Sequence, residues 1–128
     1  MAASTIEAMR ALNRTRGTVL CERLESAGGL AGQSRGLLGR DGLAPGTGML
    51  FASSLPLMWM HMLFMHFPID IVFLDRKGCV LHICHQLRPW RLSPIVFRAR
   101  KALELPAGAA AASSTQLGDL IDLAVSEP

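Results

Sequence analysis

Charge is scarce in this sequence. Only 18% of its residues are Asp, Glu, Lys or Arg, where ~25% is usual for a globular chain. Half of the residues are apolar. That excludes a disordered chain, because disorder needs low hydrophobicity together with high net charge. The 13 basic and 10 acidic residues, net +3, form no block of like charge, so no nucleic-acid footprint is expected. Cysteine is sparse too. Cys21, Cys79 and Cys84 are an odd number without tight spacing, which argues against a disulfide framework. They fit small buried hydrophobes in a reducing compartment. Residues 1–17 contain no apolar run of secretory length, so a cytoplasmic location is expected. Also missing are a Ser-His-Asp elbow, a phosphate-binding glycine loop, a dinucleotide fingerprint and a His-Glu-x-x-His run. The expected function is therefore binding, without a cofactor, and not catalysis. Hydrolysis through His61 and a carboxylate is an alternative for which the sequence offers no nucleophile.

With 128 residues, the chain makes one ordinary domain and can bury roughly two-thirds of its unfolded surface. From Gly42 to Ile69 no residue carries a formal charge, and 49–67 is strongly apolar. A membrane-spanning helix needs ~20 such residues. Pro56 in the middle, Ser53 and Ser54 beside it, His61, His66 and the closing Pro68 argue against one. Consecutive buried strands are expected instead, with no membrane span.

The pattern predicts a mainly β, small single-domain barrel or sandwich with one short helix. Residues 1–12 are expected as a flexible lead-in, 13–123 as the domain and 124–128 as a tail. Strands are predicted over 17–24, 49–51, 57–64, 69–74, 80–87, 102–105 and 120–124. Ser26 can cap the helix, with Leu30, Leu37 and Leu38 on one face. Asp75-Arg76-Lys77-Gly78 reads as a turn with Gly78 free to take positive φ. The small-residue run 108–114 reads as flexible.

Several motifs, taken in order, carry a resemblance. They are 35-RGLLGRDGL-43, Gly48-Met49-Leu50-Phe51, Met60-His61, Phe64-Met65, 67-FPIDIVFLD-75, Pro89-Trp90-Arg91, 103-LELPAG-108 and Gly118-Asp119. The set resembles the bacterial and archaeal family called domain of unknown function 192, over about Asn13 to Asp122. It is similar to the branch with a His-Thr-Phe-x-Met…Phe-Pro-Ile-Asp centre. The resemblance implies a compact, mostly β domain with one helix and no established biochemical activity. The chain departs from the pattern at Met62, where threonine is usual, and at His82, Cys84 and His85.

Six residues are candidates for a ligand site at one barrel end: Arg40, His61, Asp70, Trp90, Arg91 and Glu104. Arg40 and Arg91 would hold negative charge, Asp70 and Glu104 would orient them, and His61 would donate or accept a hydrogen bond. Trp90, on a proline-stiffened loop, would cover a small or anionic ligand or a protein partner. The structural alternative for Asp70 is an ion pair or a capped turn; for Trp90 it is a lid with its arginines in solvent. A second reading is soft-metal (Cu or Zn) binding by the Met/His stretch 58–66. Strand alternation would put Met58, Met60 and Met62 on one face and His61 and Met65 on the other. Cys79, His82, Cys84 and His85 lack the turn that a closed zinc site needs.

Overall fold

The computed structural model describes residues 9–26, 42–63 and 65–125. The strands are β1 (Met9–Asn13), β2 (Thr18–Ser26), β3 (Thr47–Ala52), β4 (Leu57–Met58), β5 (Ile69–Leu74), β6 (Val80–Leu87), β7 (Val96–Phe97), β8 (Lys101–Pro106) and β9 (Ile121–Val125). Among the described residues one short helix, α1 (Ala109–Ala112), lies between β8 and β9. Seven strands make one curled half-barrel sheet in the order β6-β5-β8-β3-β2-β1-β9, while β4 and β7 pair separately. Within the large sheet only β2 and β3 run parallel. Their connection must therefore cross over, unlike a two-residue hairpin.

β5 and β8 lie at the heart of this arrangement. Every residue of Ile69–Leu74 is buried, as expected of a strand covered on both faces. Register fixes which side chains share a face. Val72 pairs with Leu103 and Asp70 with Leu105, while Ile71 pairs with Glu104 and Phe73 with Ala102. The first face, inside the curl, holds Leu24, Val72, Leu74, Leu103, Leu105, Ile121 and Ala110 of α1. The opposite face holds Met49, Ile69, Ile71, Phe73, Cys84 and Ala102, packed with Met58, Met62, Met65 and Val96.

The two edge strands approach at one end. Cys79 bridges Leu120, Val80 N–H donates to Asp119 O at 2.9 Å, and Ile121 N–H donates to Gly78 O at 2.9 Å. Gly78 sits at φ +90°, and a Cβ there would lie 2.6 Å from Ile121 O. A left-handed conformation and a backbone clash coincide, so Gly78→Ala is expected to cost about 2 kcal/mol. A urea midpoint unchanged from wild type would refute this. Asp75 holds the same turn, its Oδ1 accepting from Lys77 N–H at 2.8 Å and Cys79 N–H at 2.9 Å.

A buried polar node ties β1 to the loop before β9. Asp119 accepts from Asn13 Nδ2 at 2.9 Å, from Gln116 N–H at 2.9 Å and from the Arg16 guanidinium at 2.9 and 3.2 Å. The Arg16 hydrogen bond, chief among these, holds the Asp119 carboxyl down at about 2.

The mainly β architecture agrees with the expectation, and β5 and β6 match their predicted bounds. Other elements differ. The lead-in expected through residue 12 enters the sheet at Met9, held between β2 and β9. The run expected as flexible contains α1. Of the strand expected over 57–64, the described residues form a ladder at Leu57 and Met58 and an isolated bridge at His61. Ser26 ends β2, and the rest of the helix expected to follow it, with Leu30, Leu37 and Leu38, lies outside the described residues.

Candidate functional site

Two stretches, 55–63 and 90–97, run side by side as an irregular antiparallel ribbon. β4 and β7 pair Leu57 with Phe97 and Met58 with Val96. Beyond them, Ser93 N–H donates to Met60 O, and Met62 N–H donates to Arg91 O, each at 2.8 Å. Met60 N–H donates to Ser93 Oγ at 2.8 Å. His61 bridges Leu92, and Trp90 N–H reaches Met62 O at 2.6 Å. The hydroxyl of Ser93 fills a place in the ladder where the chain is too irregular for a backbone partner.

The ribbon has two unlike sides. Met58, Met62, Ser93 and Val96 are buried against the sheet. Trp59, Leu63, Trp90, Leu92, Ile95 and Phe97 are exposed, and so are His61 and Arg91. Trp90 holds φ +67°, a left-handed conformation that costs a side-chain-bearing residue ~1–2 kcal/mol. The Trp90 to Met62 hydrogen bond helps hold it there. The His61 ring lies 6.3 Å from that of Trp59, and its Nδ1 accepts from Leu63 N–H at 3.3 Å.

The structure thus brings three of the six candidates, His61, Trp90 and Arg91, onto one ribbon. Glu104 lies on the sheet face that the ribbon covers, between its register partners Met49 and Ile71. It is 5% exposed. No hydrogen bond or ion pair to its carboxyl is found among the described residues, and burial pushes its pKa from 4.5 to about 7.

Asp70 points to the other face, because it pairs with Leu105 and not with Glu104. It is fully buried, and backbone groups occupy both oxygens. Oδ1 accepts from Gln86 N–H at 2.8 Å, and Oδ2 accepts from Ala110 N–H at 2.9 Å. Asp70 therefore caps α1 from a distant strand. It also fixes the β6 bulge, where Gln86 takes φ +51°. Asp70 and Glu104 do not converge on one cleft. Arg40 lies outside the described residues.

Met58, Met62 and Met65 all pack in the core layer. Met65 joins the same side as Met58 because the chain leaves strand geometry after Met58. Among the described residues no three His, Cys, Asp or Glu side chains gather as a metal-holding group. Burial, then Asp70, pushes the Cys84 thiol up, which makes it an unreactive core residue. A separate open cleft of about 440 Å³ is lined mostly by apolar residues, among them Leu20, Pro45, Pro106 and Ala109. None of the five described candidates lines it. No described helix is long and apolar enough to cross a membrane.

Fold and surface together define a small half-barrel β domain with an apolar and basic ribbon laid over one sheet face. The chain belongs to the domain of unknown function 192 family, whose sequence profile, described as an uncharacterized ACR, matches residues 11–123. A UPF0127 protein from Thermococcus sibiricus is 31% identical over 121 residues, which is 91% of this chain and 75% of that protein. Two crystal structures share the fold. A protein of unknown function from Novosphingobium aromaticivorans has TM-score 0.74 and 24% identity over 90% of this chain and 83% of its own. A putative transcription regulator from Sinorhizobium meliloti has TM-score 0.77 and 25% identity over 91% and 92%.

Proposed function

We propose that this protein is a non-catalytic binding domain that takes an acidic protein partner along the ribbon, with His61, Trp90 and Arg91 in the contact. One observation carries the reading. Of eleven exposed large hydrophobics among the described residues, seven (Leu55, Trp59, Leu63, Trp90, Leu92, Ile95 and Phe97) lie on the ribbon. Together they expose on the order of several hundred Å², as much as the largest apolar patch of a typical monomer and often a sign of function. Basic side chains predominate around them. No acidic residue occurs from Arg76 to Leu103, while Arg88, Arg91, Arg98 and Arg100 do. Tryptophan and arginine are among the side chains that most often dominate binding energy at protein interfaces, and mainly cationic flanks favour an acidic partner.

Both tryptophans of the chain, Trp59 and Trp90, are on the ribbon, so complex formation is expected to shift tryptophan emission to the blue. A photo-crosslinking residue at Ile95 is expected to trap an acidic protein that the same residue at Leu117, exposed elsewhere, does not. Trp90→Ala with Arg91→Glu is expected to lower the Ile95 yield at least tenfold. Equal trapping at both positions, or a product made only of this chain, would overturn the reading.

A further inference from the structure

We infer that a second site, at the end of the ribbon far from Trp90, binds a small ligand carrying two or more linked phosphate groups. The site is a cleft of about 350 Å³ lined by Pro56, Asp75, Arg76, Lys77, Arg98 and Arg100, a volume within the range of small-molecule sites. Arg76 and Lys77 come from the β5–β6 turn, and Arg98 and Arg100 from the segment between β7 and β8. Four cations thus line one cleft with a single carboxyl.

Asp75 accepts through Oδ1 from Lys77 N–H and Cys79 N–H, and the four cations outnumber it, so the cleft is net positive. The ion pairs found among the described residues join Arg10 to Glu22, Arg14 to Asp122 and Arg16 to Asp119, all elsewhere. Four like charges in one cleft repel one another unless an anion neutralises them. Arginine forks match phosphate oxygens in pairs, and three arginines with a lysine carry more positive charge than the about −2 of a single phosphate group balances.

Arg98 and Arg100 are held by the backbone beneath them. Arg98 N–H donates to Pro56 O at 2.6 Å, and Arg100 N–H donates to Leu74 O at 2.8 Å. Arg100 Nη1 donates to Ser54 O at 3.2 Å, leaving its other donors available. Arg98 holds φ +71°. Such strain in a non-glycine residue concentrates at ligand sites.

Calorimetric titration of the full chain with pyrophosphate tests the inference, with orthophosphate and sulfate at matched ionic strength as comparators. Saturable 1:1 binding of pyrophosphate is expected, at least tenfold tighter than either comparator. Arg76→Gln with Lys77→Gln changes two exposed turn side chains and is expected to weaken binding at least tenfold. Arg98→Gly, which removes the guanidinium and suits the left-handed backbone, is expected to do the same. Arg23→Gln, an exposed arginine on β2, is expected to leave binding unchanged. No heat up to millimolar pyrophosphate, equal affinity for sulfate, or equal loss in the Arg23 variant would overturn the inference. The Ile95 crosslinking yield is expected to be unaffected by the Arg76/Lys77 variant, so this site and the ribbon can fail separately.

Discussion

Replacing Asp70 by alanine is expected to lower the free energy of unfolding by about 4 kcal/mol, and replacing it by asparagine by roughly 2–3 kcal/mol. Both oxygens accept backbone N–H groups, from Gln86 and Ala110, in a place with no exposure. Alanine leaves two buried donors without partners and opens a cavity. Asparagine keeps one acceptor but turns an amide N–H₂ toward a donor, so one hydrogen bond becomes a repulsion. Against a total stability of about 5–15 kcal/mol, the alanine variant approaches unfolding. Denaturant titration measures the loss. Amide exchange at Gln86 and Ala110 reads its location, since those two amides should lose protection even in the milder variant. An asparagine variant within 1 kcal/mol of wild type would show that the bulge and α1 stand without this side chain.

Asp70 also marks what the sequence could and could not reveal. Ile69–Leu74 announces itself as a strand through an apolar run bounded by Pro68 and a turn, and the one charged residue within it is conspicuous. A charge in such a run calls for a polar partner, and arginine is the natural candidate. The actual partners are backbone amides 16 and 40 positions away, and backbone carries no sequence signal. The same bond explains why the alanine-rich run after Gly108 is helical. Four residues are too few to hold a helix by propensity, and the cap comes from a strand far along the chain. Met9–Asn13 shows the converse case. Its pattern is weak, and pairing on both sides with β2 and β9 makes it a strand.

Site residues divide along the same line. His61, Trp90 and Arg91 lie in two segments separated by the whole β5–β6 hairpin, and the ladder that joins them includes a serine hydroxyl. Their exposure was not readable from an apolar run, which predicts burial. The cationic cleft was readable in principle. The signal was an acid-free stretch from Arg76 to Leu103, but only the fold brings its beginning against its end.

Glu104→Gln is expected to remove most of the pH dependence of stability that the wild-type protein shows in the neutral range. The cause is burial between Met49 and Ile71 without a hydrogen-bond partner among the described residues, which moves the folded pKa from 4.5 to about 7. Below the lower value the group is protonated in both folded and unfolded chains and contributes no pH dependence. As pH rises past it, the unfolded chain releases the proton first, so unfolding becomes easier until the folded group ionises as well. At ~1.36 kcal/mol per unit, the gap amounts to about 3 kcal/mol lost between pH ~4.5 and ~7. Glutamine cannot ionise, so its curve should lie near wild type at pH ~4.5 and about 2–3 kcal/mol above it at pH ~8. Paired unfolding titrations of the two proteins isolate this group, because every other titrating residue is common to both. Parallel curves would mean that Glu104 ionises at its ordinary pH in the folded protein, and hence that a cation or water reaches it beneath the ribbon. A carboxyl that stays protonated near neutrality can donate a hydrogen bond but cannot hold an arginine, so the same experiment decides whether Glu104 can orient a charged partner at all.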